Sequence, residues 1–164
     1  MTIFLKNKHT LQIDEFKFKC CIGKKGSTSN KKEGDKKTPK GNFEIENLYF
    51  RKDRITKPKT SIKCVEIKGS MGWCDDINAP KKYNKLIKIN KTIKHEKLLR
   101  KDYKYNLLIP IKYNFKKPIT GKGSCIFIHL TKNYIPTAGC IALKEKDFLI
   151  LLKLIRRNSK IKIY

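Results

Sequence analysis

Apolar residues in this chain recur almost everywhere at the spacing of strands, and only once, near the C-terminus, at the spacing of a helix. Thr10-Leu11-Gln12-Ile13 and Phe16-Lys17-Phe18-Lys19-Cys20-Cys21-Ile22 alternate apolar with polar, as half-buried strands do. Asn42 to Phe50 alternates again, and Ile62 to Ile67 is a further short strand candidate. Tyr105 to Ile111 and Ser124 to Leu130 are nearly unbroken apolar runs of strand length, the pattern of strands covered on both faces. Phe148, Leu149, Leu151, Leu152 and Ile155 then recur at helical spacing. Glu145 and Asp147 lie toward the start of that segment and Arg156-Arg157 at its end, as the helix dipole prefers. Lys160 to Tyr164 alternates once more. These periods predict a mainly β domain with one helix, and at 164 residues a single unit spanning 1–164.

Between the predicted elements, Gly23 to Lys40 loses its apolar residues and reads as a solvent-facing loop with turns at Gly26 and Gly34-Asp35, closing in Thr38-Pro39-Lys40-Gly41. Residues 75 to 95 are rich in lysine and turn formers and read as an excursion over the surface, with no helix required.

The formal charge is +26, a field that draws in polyanions. Only five of the 40 basic residues are arginine, the side chain that base-edge and phosphate recognition favours, so the lysines read as a solvated face with no specific nucleic acid partner. No apolar run approaches a membrane span, and charge interrupts the first eight residues too early for a signal-peptide core, so the sequence carries no visible export signal. The cysteines at 20, 21, 64, 74, 125 and 140 form no C-x-x-C pair and have no histidine at metal-ligand spacing. Reduced thiols, and neither metal nor cofactor, are expected.

One segment, Tyr134-Ile135-Pro136-Thr137-Ala138-Gly139-Cys140-Ile141-Ala142-Leu143, has no purely structural explanation. A cysteine directly after glycine in a tight turn has its sulfur aimed by the backbone, while the glycine lets main-chain N–H groups converge on one point, as an oxyanion hole requires. A free thiol is only a few per cent thiolate at neutral pH and needs a base, and His129, at the end of an apolar strand eleven positions earlier, is the nearest imidazole in sequence. Taken singly, His129 also reads as a satisfied strand-end histidine and Cys140 as a buried thiol. The pair together with the glycine turn reads as a nucleophile and its general base.

His129 followed by Thr137-Ala138-Gly139-Cys140 resembles the signature of the L,D-transpeptidase catalytic domain (YkuD-type), a histidine and then Ser/Thr-x-Gly-Cys. Thr38-Pro39-Lys40-Gly41-Asn42-Phe43 is similar to that family's Thr-Pro-x-Gly-x-Phe element, and the likeness extends from about Phe18 to Ile163. Gly72-Trp73-Cys74-Asp75-Asp76, Tyr83-Asn84, and His95-Glu96 with Arg100 look like a compact single-domain branch without a separate wall-binding module.

The resemblance implies a β-sandwich of mixed sheets with the C-terminal helix packed near the active-site turn. It also implies a monomeric bacterial acyltransferase of cell-wall biogenesis whose partner is peptidoglycan or its peptide precursors, acting in the cell envelope. Cys140 attacks an L,D amide of a stem peptide, His129 moves the proton, and the backbone N–H groups of Gly139, Cys140 and Ala138 hold the oxyanion. Thr137, His95, Arg100 and Trp73 are candidate substrate contacts. Ala138 and Ala142 stand where many members carry a second histidine and an arginine or asparagine. The acyl acceptor therefore stays open between another peptide, a free amino acid and water, the last making the enzyme an L,D-carboxypeptidase. A catalytically silent basic module that binds an anionic polymer is the competing reading.

Overall fold

The computed structural model describes residues 1–164. Its strands are β1 (Thr2–Asn7), β2 (Thr10–Ile13), β3 (Phe16–Cys21), β4 (Ser27–Thr28), β5 (Thr38–Pro39), β6 (Gly41–Glu44), β7 (Leu48–Phe50), β8 (Cys64–Glu66), β9 (Met71–Cys74), β10 (Leu86–Lys88), β11 (His95–Lys97), β12 (Leu107–Pro110), β13 (Phe127–Leu130) and β14 (Ile141–Leu143). The helix α1 (Glu145–Leu154) and β15 (Lys160–Ile163) follow. Ten of the strands form one mixed sheet in the order β6-β15-β1-β2-β3-β14-β13-β12-β7-β8. The expected mainly β architecture with one C-terminal helix is what the chain adopts.

Alternation along the central strands sorts their side chains onto two faces. Leu107 and Ile109 of β12, Ile128 and Leu130 of β13, and Ile141 and Leu143 of β14 join the main core of 25 buried residues. Leu108, Phe127 and Cys140 face the other way, into a second cluster of nine that includes Trp73, Leu98 and Tyr105. The unbroken apolar runs are thus central strands with a core on each side. The helix closes the main core with Phe148, Leu151, Leu152 and Ile155, all fully buried. It lacks a side-chain N-cap and stops at Leu154, where the Ile155 N–H still reaches the Leu151 carbonyl, so the expected Arg156-Arg157 lie just beyond its end.

Three features depart from the sequence reading. Residues 2–7, assigned no strand, form β1, which buries Ile3 and Leu5 and pairs antiparallel with β2 and parallel with β15. The stretch 75–95 is less superficial than its composition implies. Its β10 and β11 flank β9 in a three-stranded sheet, and Tyr83 is fully buried. The loop 23–40 contains the short parallel pair β4–β5, and it buries Lys31 and all of Thr38. Polar composition pointed to solvent there. The polar groups are instead paired inside, Lys31 with Asp35 at 2.6 Å and Thr38 with backbone.

Candidate active site

In the parallel pairing of β13 with β14, His129 lies opposite Ala142. Cys140 is two residues before Ala142, so its side chain emerges on the same face as that of His129, one step diagonally along the neighbouring strand. Both residues line a cavity of about 360 Å³, whose other walls include Lys31, Glu33, Asp75, Glu96, Arg100 and Lys104.

The turn that delivers Cys140 is fastened from two sides. Thr38 Oγ1 accepts the Gly23 N–H at 3.0 Å and donates to the Gly139 carbonyl at 2.8 Å. Thr137 pairs with Gly23, and its Oγ1 donates to the Cys140 carbonyl at 2.6 Å while accepting the Gly139 N–H at 3.1 Å. Gly139 has φ +148°, and a Cβ there would meet the Lys37 carbonyl oxygen at 3.0 Å and Ile126 Cδ1 at 3.3 Å. Only glycine fits without strain. Of the three amides expected to hold an oxyanion, that of Gly139 is engaged by Thr137, whereas those of Ala138 and Cys140 have no acceptor within the protein. Thr38→Val should cost about 2–4 kcal/mol in urea unfolding, because it strands a buried N–H and a buried carbonyl together. An unchanged midpoint would mean that the two loops are not joined through this hydroxyl.

The Cys140 sulfur donates to the Cys125 carbonyl at 3.1 Å and accepts the Phe127 N–H at 3.4 Å. Burial, with the Glu96 charge second, pushes its thiol up to about 12. His129 Nδ1 lies 2.9 Å from the Leu130 carbonyl, which can only accept, so Nδ1 carries the proton and Nε2 the lone pair. The ring packs against Tyr105 at 5.5 Å between centroids. Burial lowers His129 to about 4, and the nearby Lys104 and Arg100 charges push the same way. At neutral pH the two groups are therefore a neutral thiol and a neutral imidazole.

Of the candidate substrate contacts, Thr137 and Arg100 lie on the cavity wall. Arg100 is already occupied. Its Nε and Nη2 bind Asp102 at 2.9 and 2.6 Å, Nη1 is 3.7 Å from Glu96, and the guanidinium stacks over Tyr105. Trp73 does not reach the cavity. It is 3% exposed, donates to Asn84 Oδ1 at 2.9 Å and packs edge-on against Phe127. His95 also stays outside, its Nδ1 at 2.6 Å from the Ile93 carbonyl and its ring against Gly72. Both were singled out by residue type, and packing gave them other partners.

The sequence reading missed Thr38 as the clasp on the turn, the Leu130 carbonyl as the partner of the imidazole, and the buried Lys31. Only the Thr-Pro-x-Gly element pointed at any of these. Cys125, whose carbonyl meets the sulfur, lies just before β13 and holds φ +54°. No three His, Cys, Asp or Glu side chains gather as a metal site, and no helix is long and apolar enough to cross a membrane.

A large mixed sheet that brings a glycine–cysteine turn beside a strand-borne histidine defines a class of mainly β domains with a thiol cavity on the face opposite the main core. Residues 1–163 match YkuD, the L,D-transpeptidase catalytic domain, and the chain belongs to that family. The family acts on peptidoglycan. No match was found among curated proteins or among solved structures.

Proposed function

We propose that this protein is a cysteine L,D-transpeptidase that forms a thioester between Cys140 and the acyl half of a peptidoglycan stem peptide and passes it to an amine. The observation that carries this reading is that Cys140, His129 with a free Nε2, and Ala138 line a single cavity, and that the N–H groups of Ala138 and Cys140 have no acceptor within the protein.

Because thiol and imidazole are both neutral at rest, attack and proton transfer proceed together. As the sulfur bonds to the scissile carbonyl carbon, its proton leaves the Cys125 carbonyl for His129 Nε2, and the oxyanion is received by the N–H groups of Cys140 and Ala138. Each such donor is worth about 2.7–4 kcal/mol to the transition state. The imidazolium, steadied through Nδ1 by the Leu130 carbonyl, returns the proton to the leaving D-amino acid. The amine acceptor then resolves the thioester.

A carbapenem, which the family accepts as an acylating agent, should add its mass once to the intact protein, with the modified peptide containing Cys140 and the other five thiols untouched. Labelling that is unchanged in Cys140→Ala, or spread over several cysteines, would overturn the assignment and favour a silent polyanion-binding module.

A further inference from the structure

Glu96 is the acid closest in effect to the reacting sulfur. It projects from β11 into the cavity wall, and its charge is the leading electrostatic influence on the Cys140 thiol and on Cys125. The Tyr105 hydroxyl donates to its Oε1, and Arg100 Nη1 approaches the same oxygen at 3.7 Å. The Arg100 charge is in turn claimed by Asp102 through two short bonds, so it only partly offsets Glu96. Asp75 lines the same wall, and its Oδ1 is enclosed without any partner, while Oδ2 has only an exposed Lys94 at 3.6 Å. Three of the 14 acids, Glu33, Asp75 and Glu96, line this cavity together with Lys31, Lys36, Arg100 and Lys104, and Lys31 is paired with Asp35. Glu33 is consumed by Tyr83 and Ser124. Asp75 keeps an enclosed oxygen with no partner, and the Glu96 charge disfavours the Cys140 thiolate, an arrangement that a cation bound at this wall would relieve.

The reaction proposed above, on which this inference rests, brings one positive charge to that sulfur. The scissile amide is uncharged, whereas an amine acceptor arrives as an ammonium. We infer that Glu96, backed by Asp75, is the specificity residue that seats the ammonium of the acyl acceptor next to the Cys140 thioester and so directs the acyl group to amines over water. In the transfer, the ammonium releases two protons. The nitrogen lone pair forms the new C–N bond, the C–S bond breaks with its electrons going to sulfur, one proton restores the Cys140 thiol through His129 and the other passes to solvent. Tyr105 holds Glu96 in place and bears on the His129 ring, so the seat and the base share one support.

Glu96→Gln keeps an acceptor for the Tyr105 hydroxyl and removes the charge. On the 164-residue chain, acylation by a carbapenem or a stem tetrapeptide is followed by intact mass, and the acyl-enzyme is then partitioned between hydrolysis and a titrated primary amine such as glycine amide. The expected result is an acceptor KM raised about 10- to 100-fold, the loss of a charge-assisted contact, with a lower transfer-to-hydrolysis ratio. Glu96→Asp, which keeps the charge on a shorter arm, should fall between wild type and Gln. An unchanged acceptor KM and partition ratio in Glu96→Gln would overturn the inference. Absence of any wild-type acyl-enzyme at Cys140 would instead overturn the proposed function itself.

Discussion

Replacing Cys140 by serine or alanine is expected to lower acyl transfer by about 10⁶-fold, the scale on which nucleophile deletions act in enzymes whose catalytic groups work as a unit. The two variants separate chemistry from folding. The sulfur accepts the Phe127 N–H and donates to the Cys125 carbonyl, and a serine hydroxyl can make the same two contacts, whereas alanine makes neither. Cys140→Ala should therefore lose about 1 kcal/mol of stability per abandoned bond, and Cys140→Ser much less. Both should be inert toward a carbapenem by intact mass and should not turn over a stem tetrapeptide. Retention of turnover in either variant, with a folded protein by circular dichroism, would remove Cys140 from the chemistry.

Substituting His129 by glutamine should produce the second large effect, and it has a signature in pH as well as in rate. General acid–base assistance is worth about 10²–10⁴-fold, so acylation should fall by that factor while the thiol stays in place. Burial holds the imidazole near 4 in the folded chain, whereas it titrates near 6.5 when unfolded. Between those values the unfolded chain binds the proton and the folded chain does not. Stability is therefore full above about 6.5 and is lost as pH falls toward 4, by about 3 kcal/mol for this one group. His129→Gln should abolish that part of the acid slope in urea titrations at pH 4 to 7. The wild-type acylation rate should likewise keep its plateau well below 6.5, because the base stays neutral there. An acid limb centred on 6.5 would mean that the imidazole is solvated and that the pair is organised differently.

Much of the scaffold was legible because it rests on periodicity. The unbroken runs 105–111 and 124–130 read as buried strands, and the 3.6-residue spacing from Phe148 to Ile155 as a helix lying on a core. β1 was passed over because its first residues were weighed as an export signal, although Ile3 and Leu5 alternate as a half-buried strand does. Composition misled most in the loop 23–40. Lys31 and Thr38 look solvated in sequence, yet each has a partner waiting, on its own loop or on the cysteine turn, and a paired polar group can be buried.

What the residues alone determined is the local chemistry: a glycine that permits φ +148°, the cysteine it presents, and a histidine at the end of an apolar strand. Local sequence dictates such things because backbone freedom and side-chain period are properties of a few neighbouring residues. Only the tertiary structure decided which face His129 and Cys140 share, that Leu130 assigns the imidazole proton, that Gly139 gives its N–H to Thr137, and that Glu96 lies in the cavity while Trp73 and His95 do not. Each of these depends on strand register and on partners distant in the chain. A one-residue slip of β14 against β13 would leave the composition unchanged and turn the sulfur to the opposite face of the sheet.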